Sequence, residues 1–134
     1  MSRRILIIDD EPHVSESLKD RLESMGYEAI VAHDGRTALA LIALEAKQGP
    51  IGGVLLDVQM PVMDGTEVLR ELRARHPDIP VVMMTAGADR TVLLGALQMG
   101  ASECLIKLFD RTLLLEICGK VFPLEERTND GRTT

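Results

Sequence analysis

The chain has 134 residues, a length that fits one domain with a single hydrophobic core. Hydrophobic residues make up 46% of the chain and charged residues 27%, the balance of an ordinary soluble globular protein. The net charge of −6 argues against direct binding of nucleic acid, and 2% aromatic residues without Trp argue against a platform on which bases could stack.

The compartment follows from cysteine usage and from the apolar runs. Cys104 and Cys118 form no C-x-x-C pair, and the chain opens without the long apolar region of a signal peptide. No run approaches the ~20 apolar residues of a membrane span. We therefore expect a cytoplasmic protein with reduced thiols and no contact with a membrane.

Five apolar runs alternate with five segments of helical periodicity. The predicted strands are residues 3–8, 27–32, 53–58, 80–85 and 103–106. The predicted helices are residues 12–25, 37–47, 64–75, 88–99 and 111–122. This alternation predicts a doubly wound α/β domain with a parallel sheet and helices on both faces.

Several residues mark the ends of the predicted helices. Gly26 and Gly100 are typical carboxyl-terminal stops, and Asp34 is a candidate N-cap. Asp64 with Glu67 three residues later resembles a capping box in which Asp replaces Ser or Thr. We interpret Asp64 as a cap and not as part of a reactive site.

Polar side chains end four of the five strands. Asp9 and Asp10 end the first, Asp57 the third, Thr85 the fourth and Lys107 the fifth. In a parallel sheet these ends meet at one edge, where ligands bind. Asp9 alone would suit a cap of the first helix, but two adjacent acids at the tip of a buried strand favour a site.

The chemistry of these groups is consistent with phosphoryl transfer. Three converging carboxylates repel one another unless a hard cation such as Mg²⁺ lies between them. A carboxylate can form an acyl phosphate, which makes Asp57 the candidate nucleophile. Lys107 would supply a positive charge and Thr85 a hydroxyl donor for the phosphoryl oxygens.

At this point the chain resembles the receiver domain of bacterial two-component response regulators, over residues 3–122. The matching motifs are Ile-Asp-Asp-Glu at 8–11, Asp-x-x-Met-Pro-x-Met-Asp-Gly at 57–65, Thr85-Ala86 and Lys107. The resemblance implies a five-stranded sheet in the order 2-1-3-4-5. It also divides the chain into a receiver domain at 1–122 and a polar tail or linker at 123–134.

The resemblance implies roles as well. Asp57 would be the phosphoacceptor, with Mg²⁺ held by Asp9, Asp10, Asp57 and the main-chain carbonyl of Gln59. Thr85 and Lys107 would close on the phosphoryl group. The donor would be a phosphohistidine on a sensor histidine kinase or a phosphotransfer domain, and the domain would catalyse its own phosphorylation and dephosphorylation.

The sequence departs from the family pattern at two places. Receivers usually have a proline after the lysine, in a cis bond, whereas Leu108 follows Lys107 here. A cis bond before a non-proline residue costs ~3 kcal/mol, so we expect a trans bond and an altered loop. Receivers also usually have Tyr or Phe where this chain has Cys104. We expect phosphorylation to be retained and its effect on the fourth helix and fifth strand to be weaker or different.

Two other functions compete with this interpretation. The chain could be a docking module with the receiver fold that signals without phosphorylation, a hypothesis that Cys104 and Leu108 motivate. It could instead be a hydrolase, but aspartyl phosphatases usually carry a second acid where this chain has Gln59, and there is no nucleotide-binding glycine motif. We rank the hydrolase last.

The last predicted helix contains more apolar residues than one buried stripe requires. They are Leu113, Leu114, Leu115, Ile117, Val121 and Phe122. This surplus either forms a surface for a second copy or an effector, together with the fourth helix and fifth strand, or is covered within the fold. The sequence leaves both interpretations open.

Overall fold

A computed structural model describes most of the chain, namely residues 3–45, 50–58, 60, 63–85, 90–106 and 111–124. The strands are β1 (Arg4–Ile8), β2 (Glu28–Ala32), β3 (Gly53–Asp57), β4 (Val81–Thr85) and β5 (Glu103–Ile106). The helices are α1 (Pro12–Ser24), α2 (Gly35–Glu45), α3 (Gly65–Arg75), α4 (Arg90–Gln98) and α5 (Arg111–Val121). All five predicted strands and all five predicted helices therefore form, with ends that differ by a few residues.

The five strands make one parallel sheet in the order β2-β1-β3-β4-β5. The doubly wound α/β fold and the strand order are thus confirmed. β1, β3 and β4 are each flanked by strands on both sides, and their apolar side chains are buried, which explains their continuous apolar runs. Across the described ranges, no helix has both the length and the apolar character that crossing a bilayer would require.

The sheet separates two apolar clusters. One contains Leu6 and Ile8 of β1 and lies under α2, α3 and α4, while the other contains Ile5 and Ile7 and lies under α1 and α5. Alternate side chains of a strand point to opposite faces of the sheet, so both the odd-numbered and the even-numbered residues of β1 within the sheet must be apolar. Helices on both faces leave the carboxyl ends of the strands as the place where polar side chains collect.

Both predicted glycine stops end their helices. Gly26 (φ 103°) and Gly100 (φ 106°) adopt left-handed backbone conformations, which glycine reaches without steric cost. After Gly26 the N–H of Tyr27 donates to the carbonyl of Leu22, 3.0 Å away. This bond belongs to a Schellman-type end, so Tyr27 finishes α1 and β2 begins one residue later than predicted.

The predicted capping box at the start of α3 is present. The Asp64 carboxylate accepts hydrogen bonds from the N–H groups of Thr66 and Glu67, and the Glu67 carboxylate accepts one from the N–H of Asp64. Asp34 accepts the N–H of Thr37 at 2.7 Å before α2, in the manner of an N-cap. Both helices thus begin close to the carboxyl edge of the sheet.

Candidate functional site

The register of β1 and β3 brings two acids to the same level of the sheet. Ile7 pairs with Leu55 and Ile8 with Leu56, so Asp9 and Asp57 follow next on adjacent parallel strands. Neighbouring strands lie about 4.8 Å apart, and side chains of equal parity share one face. The predicted meeting of the two carboxylates is a direct result of this pairing.

Four acidic residues converge at this edge: Asp9, Asp10, Glu11 and Asp57. Each offers a carboxylate oxygen, and the four oxygens all lie within 4.8 Å of one another. Asp9 and Asp57 are buried, Asp10 is half-buried and Glu11 is exposed. The cluster is therefore a half-open acidic pocket with two buried carboxylates.

Main-chain bonds hold Asp9 in place. Its N–H donates to the carbonyl of Ala32 (3.1 Å), which extends the β1–β2 ladder by one residue beyond the strand. Its Oδ1 accepts the N–H of Glu11 at 2.9 Å. Asp9 is therefore not the N-cap of α1, the alternative that the sequence offered. Its side chain instead accepts a hydrogen bond within the β1–α1 turn. The structure assigns the N-cap position itself to Glu11, which makes no side-chain cap bond.

Asp57 is held from two sides through the residue that follows it. The N–H of Val58 donates to the carbonyl of Met84 on β4 (2.8 Å), and the carbonyl of Val58 accepts the N–H of Gly65 at the start of α3 (2.8 Å). Met84 is also the partner of Asp57 in the β3–β4 register. The carboxyl end of β3 is therefore fixed between β4 and α3.

Thr85, the predicted hydroxyl donor, is the last residue of β4 and is buried. It lies one residue beyond Met84, the partner of Asp57, at the same edge of the sheet. Its own partner is Ile106, the last residue of β5. Lys107, Leu108 and Gln59 were also predicted to shape the site, and all three lie outside the described residues.

The acidic pocket fits a small divalent cation. Mg²⁺ takes oxygen ligands at about 2.1 Å, so two ligands on opposite sides of the ion are about 4.2 Å apart. Carboxylate oxygens that all lie within 4.8 Å of one another satisfy this limit with little rearrangement. A bound cation would also neutralise the mutual repulsion of these neighbouring carboxylates. The donor set is thus oxygen-only, as a hard ion prefers.

Glu11 belongs to this cluster, although the sequence predicted no role for it. It ends the Ile-Asp-Asp-Glu motif at 8–11, in which the family resemblance assigns only the two aspartates to the metal. The signal that could have found it is its position directly after Asp10 and before Pro12, which opens α1. The turn that brings the N–H of Glu11 to Asp9 also places the carboxylate of Glu11 in the cluster.

Cys104 occupies the place where the resemblance expected an aromatic ring. It lies in β5 opposite Met83 and is half-buried. Burial, with a smaller contribution from the charge of Glu103, raises the pKa of its thiol. The thiol is therefore a neutral and small side chain at neutral pH.

Comparison with known proteins identifies the family to which this chain belongs. Residues 5–118 match the response regulator receiver domain family, so the chain is a member of that family. Response regulator MprA of Mycolicibacterium vanbaalenii is 39% identical over 133 residues, which cover 98% of this chain and 54% of that protein. The chain thus spans about half the length of the curated relatives it matches.

Solved structures agree with this assignment. A chain of the CheX–CheY–BeF3–Mg²⁺ complex from Borrelia burgdorferi superimposes with a TM-score of 0.84 at 28% identity, covering 90% of this chain and 89% of that one. The response regulator TrrA from Thermotoga maritima, solved with Mg²⁺–BeF, gives a TM-score of 0.76 at 34% identity, covering 89% and 98%. The resemblance inferred from the motifs is confirmed at the level of family and fold.

Proposed function

We propose that this receiver domain accepts a phosphoryl group on Asp57 from a phosphohistidine, with Mg²⁺ bound in the acidic pocket. The observation that carries the proposal is the convergence of Asp57 with Asp9 and Asp10 at one edge of the sheet. Membership in the receiver family and the Mg²⁺ in two similar solved receivers support it. They favour it over the docking module that signals without phosphorylation.

In the proposed step, a carboxylate oxygen of Asp57 attacks the phosphorus atom and forms an acyl phosphate. The bond from phosphorus to the imidazole nitrogen breaks, and the nitrogen keeps the electron pair. The ring leaves as neutral imidazole because its other nitrogen carries a proton. Hydrolysis of the acyl phosphate by water would later restore the carboxylate and release inorganic phosphate.

The remaining site residues position and neutralise the phosphoryl group. Asp9 and Asp10 would hold the cation together with Asp57 and the main-chain carbonyl of Gln59. When bound, Mg²⁺ supplies positive charge against the phosphoryl oxygens. Thr85 would donate its hydroxyl to one oxygen and Lys107 its ammonium group to another.

Two partner surfaces are proposed, one at the acidic pocket and one on the side of the domain that carries β5. A sensor histidine kinase or a phosphotransfer domain would approach the acidic pocket to deliver the phosphoryl group. The fourth helix, fifth strand and last helix would contact a second copy or an effector. Four exposed leucines mark this side, with exposed fractions of 41–54%: Leu94, Leu97, Leu113 and Leu115. Nucleic acid and membrane are not among the proposed partners.

We further propose the cytoplasm as the location, because a phosphohistidine donor and reduced thiols both belong there. Residues 1–122 would form the receiver domain and residues 123–134 a tail or linker. Leu114 and Cys118 of α5 and the following Phe122 make a buried stripe, whereas Leu113 and Leu115 are exposed. The apolar surplus predicted for this helix therefore lies partly on the surface.

The test is labelling with a small phosphodonor, read by intact mass. Wild type incubated with acetyl phosphate and Mg²⁺ should gain the mass of one phosphoryl group, and omission of Mg²⁺ should abolish the gain. Asp57→Ala should take no label, and Asp20→Ala, at an exposed acid of α1, should label like wild type. Wild type that takes no label with Mg²⁺ present would rule out the proposed chemistry.

A further inference from the structure

The first residue of α3 lies against the main chain of the candidate phosphoacceptor. A Cβ atom added at Gly65 would be 2.3 Å from the carbonyl oxygen of Asp57, 2.7 Å from the Cα of Val58 and 3.0 Å from the carbonyl carbon of Asp57. Ordinary van der Waals contact begins at 3.4 Å. A methyl group at Gly65 is therefore about 1 Å too close to atoms that cannot rotate away.

This close approach is held by hydrogen bonds on both sides. The Gly65 N–H donates to the carbonyl of Val58, and the capping box around Asp64 fixes the first turn of α3. The Asp64 carboxylate also accepts the hydroxyl of Thr66 at 2.7 Å. The end of β3 cannot move toward α3, and α3 cannot begin elsewhere without losing these bonds.

We propose that Gly65 is a positioning residue for the site, because its contact with the Asp57 main chain sets where the Asp57 carboxylate stands relative to Asp9 and Asp10. The inference rests on the proposed function and extends it to a residue outside the acidic pocket. A side chain at Gly65 would push the tip of β3 away from α3. Displacement of a reacting group by about 1 Å can cost ~100-fold in rate, and Mg²⁺ tolerates little departure from octahedral geometry.

A purely structural role makes a different prediction. If Gly65 only allows α3 to pack, its replacement should lower stability without a particular effect on the site. Gly53 provides the matched control, since it starts the same strand and a Cβ there would lie 2.3 Å and 2.4 Å from two ring atoms of buried Phe122. Gly53→Ala therefore also introduces a clash, with a buried aromatic ring instead of main chain, at the opposite end of β3.

The experiment compares wild type, Gly65→Ala and Gly53→Ala by three measurements. These are urea unfolding, calorimetric titration with MgCl2 alone, and the rate of labelling by acetyl phosphate. We expect Gly65→Ala to weaken Mg²⁺ binding at least fivefold and to slow labelling at saturating Mg²⁺ at least tenfold. Gly53→Ala should also lose stability but stay within twofold of wild type in both site measurements. Equal effects of the two variants on the site would overturn the proposal.

A second pair of variants covers the case in which Gly65→Ala does not fold. Asp64→Ala removes the capping box that seats Gly65, and Asp34→Ala removes the corresponding N-cap bond before α2. Asp64→Ala should weaken Mg²⁺ binding two- to threefold, whereas Asp34→Ala should leave it unchanged. Equal Mg²⁺ affinities in this pair contradict the positioning role. A wild type that binds Mg²⁺ but takes no label refutes the phosphoryl chemistry. The Mg²⁺ affinities of the variants still test the positioning role of Gly65 in that case.

Discussion

The hydroxyl of Tyr27 lies 2.8 Å from the carbonyl oxygen of Phe122 and 3.0 Å from that of Cys118. One buried donor thus serves two carbonyls at the end of α5. The ring of Phe122 also packs over Gly53, where no side chain intervenes. These contacts join the residue before β2, the start of β3 and the end of α5 at the edge of the sheet opposite to the acids.

The hydroxyl of Tyr27 should therefore contribute to stability and not to chemistry. Tyr27→Phe leaves the Phe122 carbonyl without this donor and is expected to lower the free energy of unfolding by about 1 kcal/mol. Urea denaturation followed by circular dichroism measures the change. Labelling of Asp57 by acetyl phosphate should proceed at the wild-type rate. A slower labelling rate in a fully folded Tyr27→Phe would show that the two edges are coupled.

Glu11 should strengthen cation binding less than Asp9 does. Loss of one exposed charge near the ion corresponds to about 1 kcal/mol, or roughly fivefold in affinity. Asp9→Asn should weaken Mg²⁺ binding by about tenfold or more, because the buried charge acts in a medium of lower dielectric constant. Titration calorimetry with MgCl2 measures both, and Glu23→Gln at an exposed position of α1 is the control. An unchanged affinity in Glu11→Gln would exclude its carboxylate from the site.

Acid should weaken the start of α3. The hydrogen bond from the Thr66 side chain, together with main-chain N–H groups, lowers the pKa of Asp64 below its ordinary value of 3.8. A lowered pKa means that the stabilisation is complete above the unfolded-state value and is lost as the pH falls through the folded-state value. Because Asp64 is exposed, we expect an effect of roughly 0.5 kcal/mol or less.

The measurement for Asp64 is a comparison with Asp64→Asn, which can still cap the helix but does not titrate. Urea unfolding at pH 5 should favour wild type, and the difference between the two proteins should shrink at pH 2.5. A difference that stays constant between these pH values would mean that ionisation of Asp64 does not contribute.

The two cysteines should differ in reactivity. Burial raises the pKa of Cys118 to about 12, so the thiol is neutral at pH 8, and the side chain is also fully covered. Cys104 is half-buried and should react slowly with a disulfide reagent in the folded protein. Two thiols should react in guanidinium chloride. In Cys104→Ser no thiol should react before unfolding, and rapid labelling of that variant would contradict the burial of Cys118.

The exposed leucines beside β5 should mediate self-association if this surface binds a second copy. Light scattering after size-exclusion chromatography, with and without acetyl phosphate, gives the oligomeric state. Leu115→Glu should abolish any dimer, whereas Leu44→Glu, at an equally exposed leucine of α2, should not. A wild type that is monomeric under both conditions would rule out the dimer.

The fold could be predicted well from the sequence because the apolar runs and the residues at helix ends both indicate the elements that the structure contains. Continuous apolar runs required a sheet covered on both faces, and Gly26, Gly100 and the Asp64 capping box marked helix ends that the structure contains. Boundaries shifted where a main-chain bond decided them, as at Tyr27, whose N–H completes α1 instead of entering β2. Such bonds depend on backbone conformation, which residue type alone does not determine.

The convergence of the acids was predictable for the same reason, since parallel strands end at one edge. The contribution of Glu11 was not, because it depends on how the β1–α1 turn folds back on Asp9. The contact between Gly65 and Asp57 could not be predicted either. A glycine in a turn can serve to relieve backbone strain or to permit a close approach, and the sequence does not distinguish these two roles. The chemical roles of the site residues stay predictions: Asp9, Asp10, Asp57, Gln59, Thr85 and Lys107.

The two-sided burial of β1 has a consequence for strand alignment. In a strand with one apolar face, a slip by one residue moves every apolar side chain into water, and this penalty fixes the register. Both parities of β1 are apolar, so hydrophobicity alone does not distinguish neighbouring alignments. A slip by one residue in one direction would move Asp9 among the apolar clusters, and a slip in the other direction would move Arg4 there. The charged residues that flank β1 therefore determine its register when the sheet forms. The acids of the pocket thus contribute to folding as well as to ligand binding.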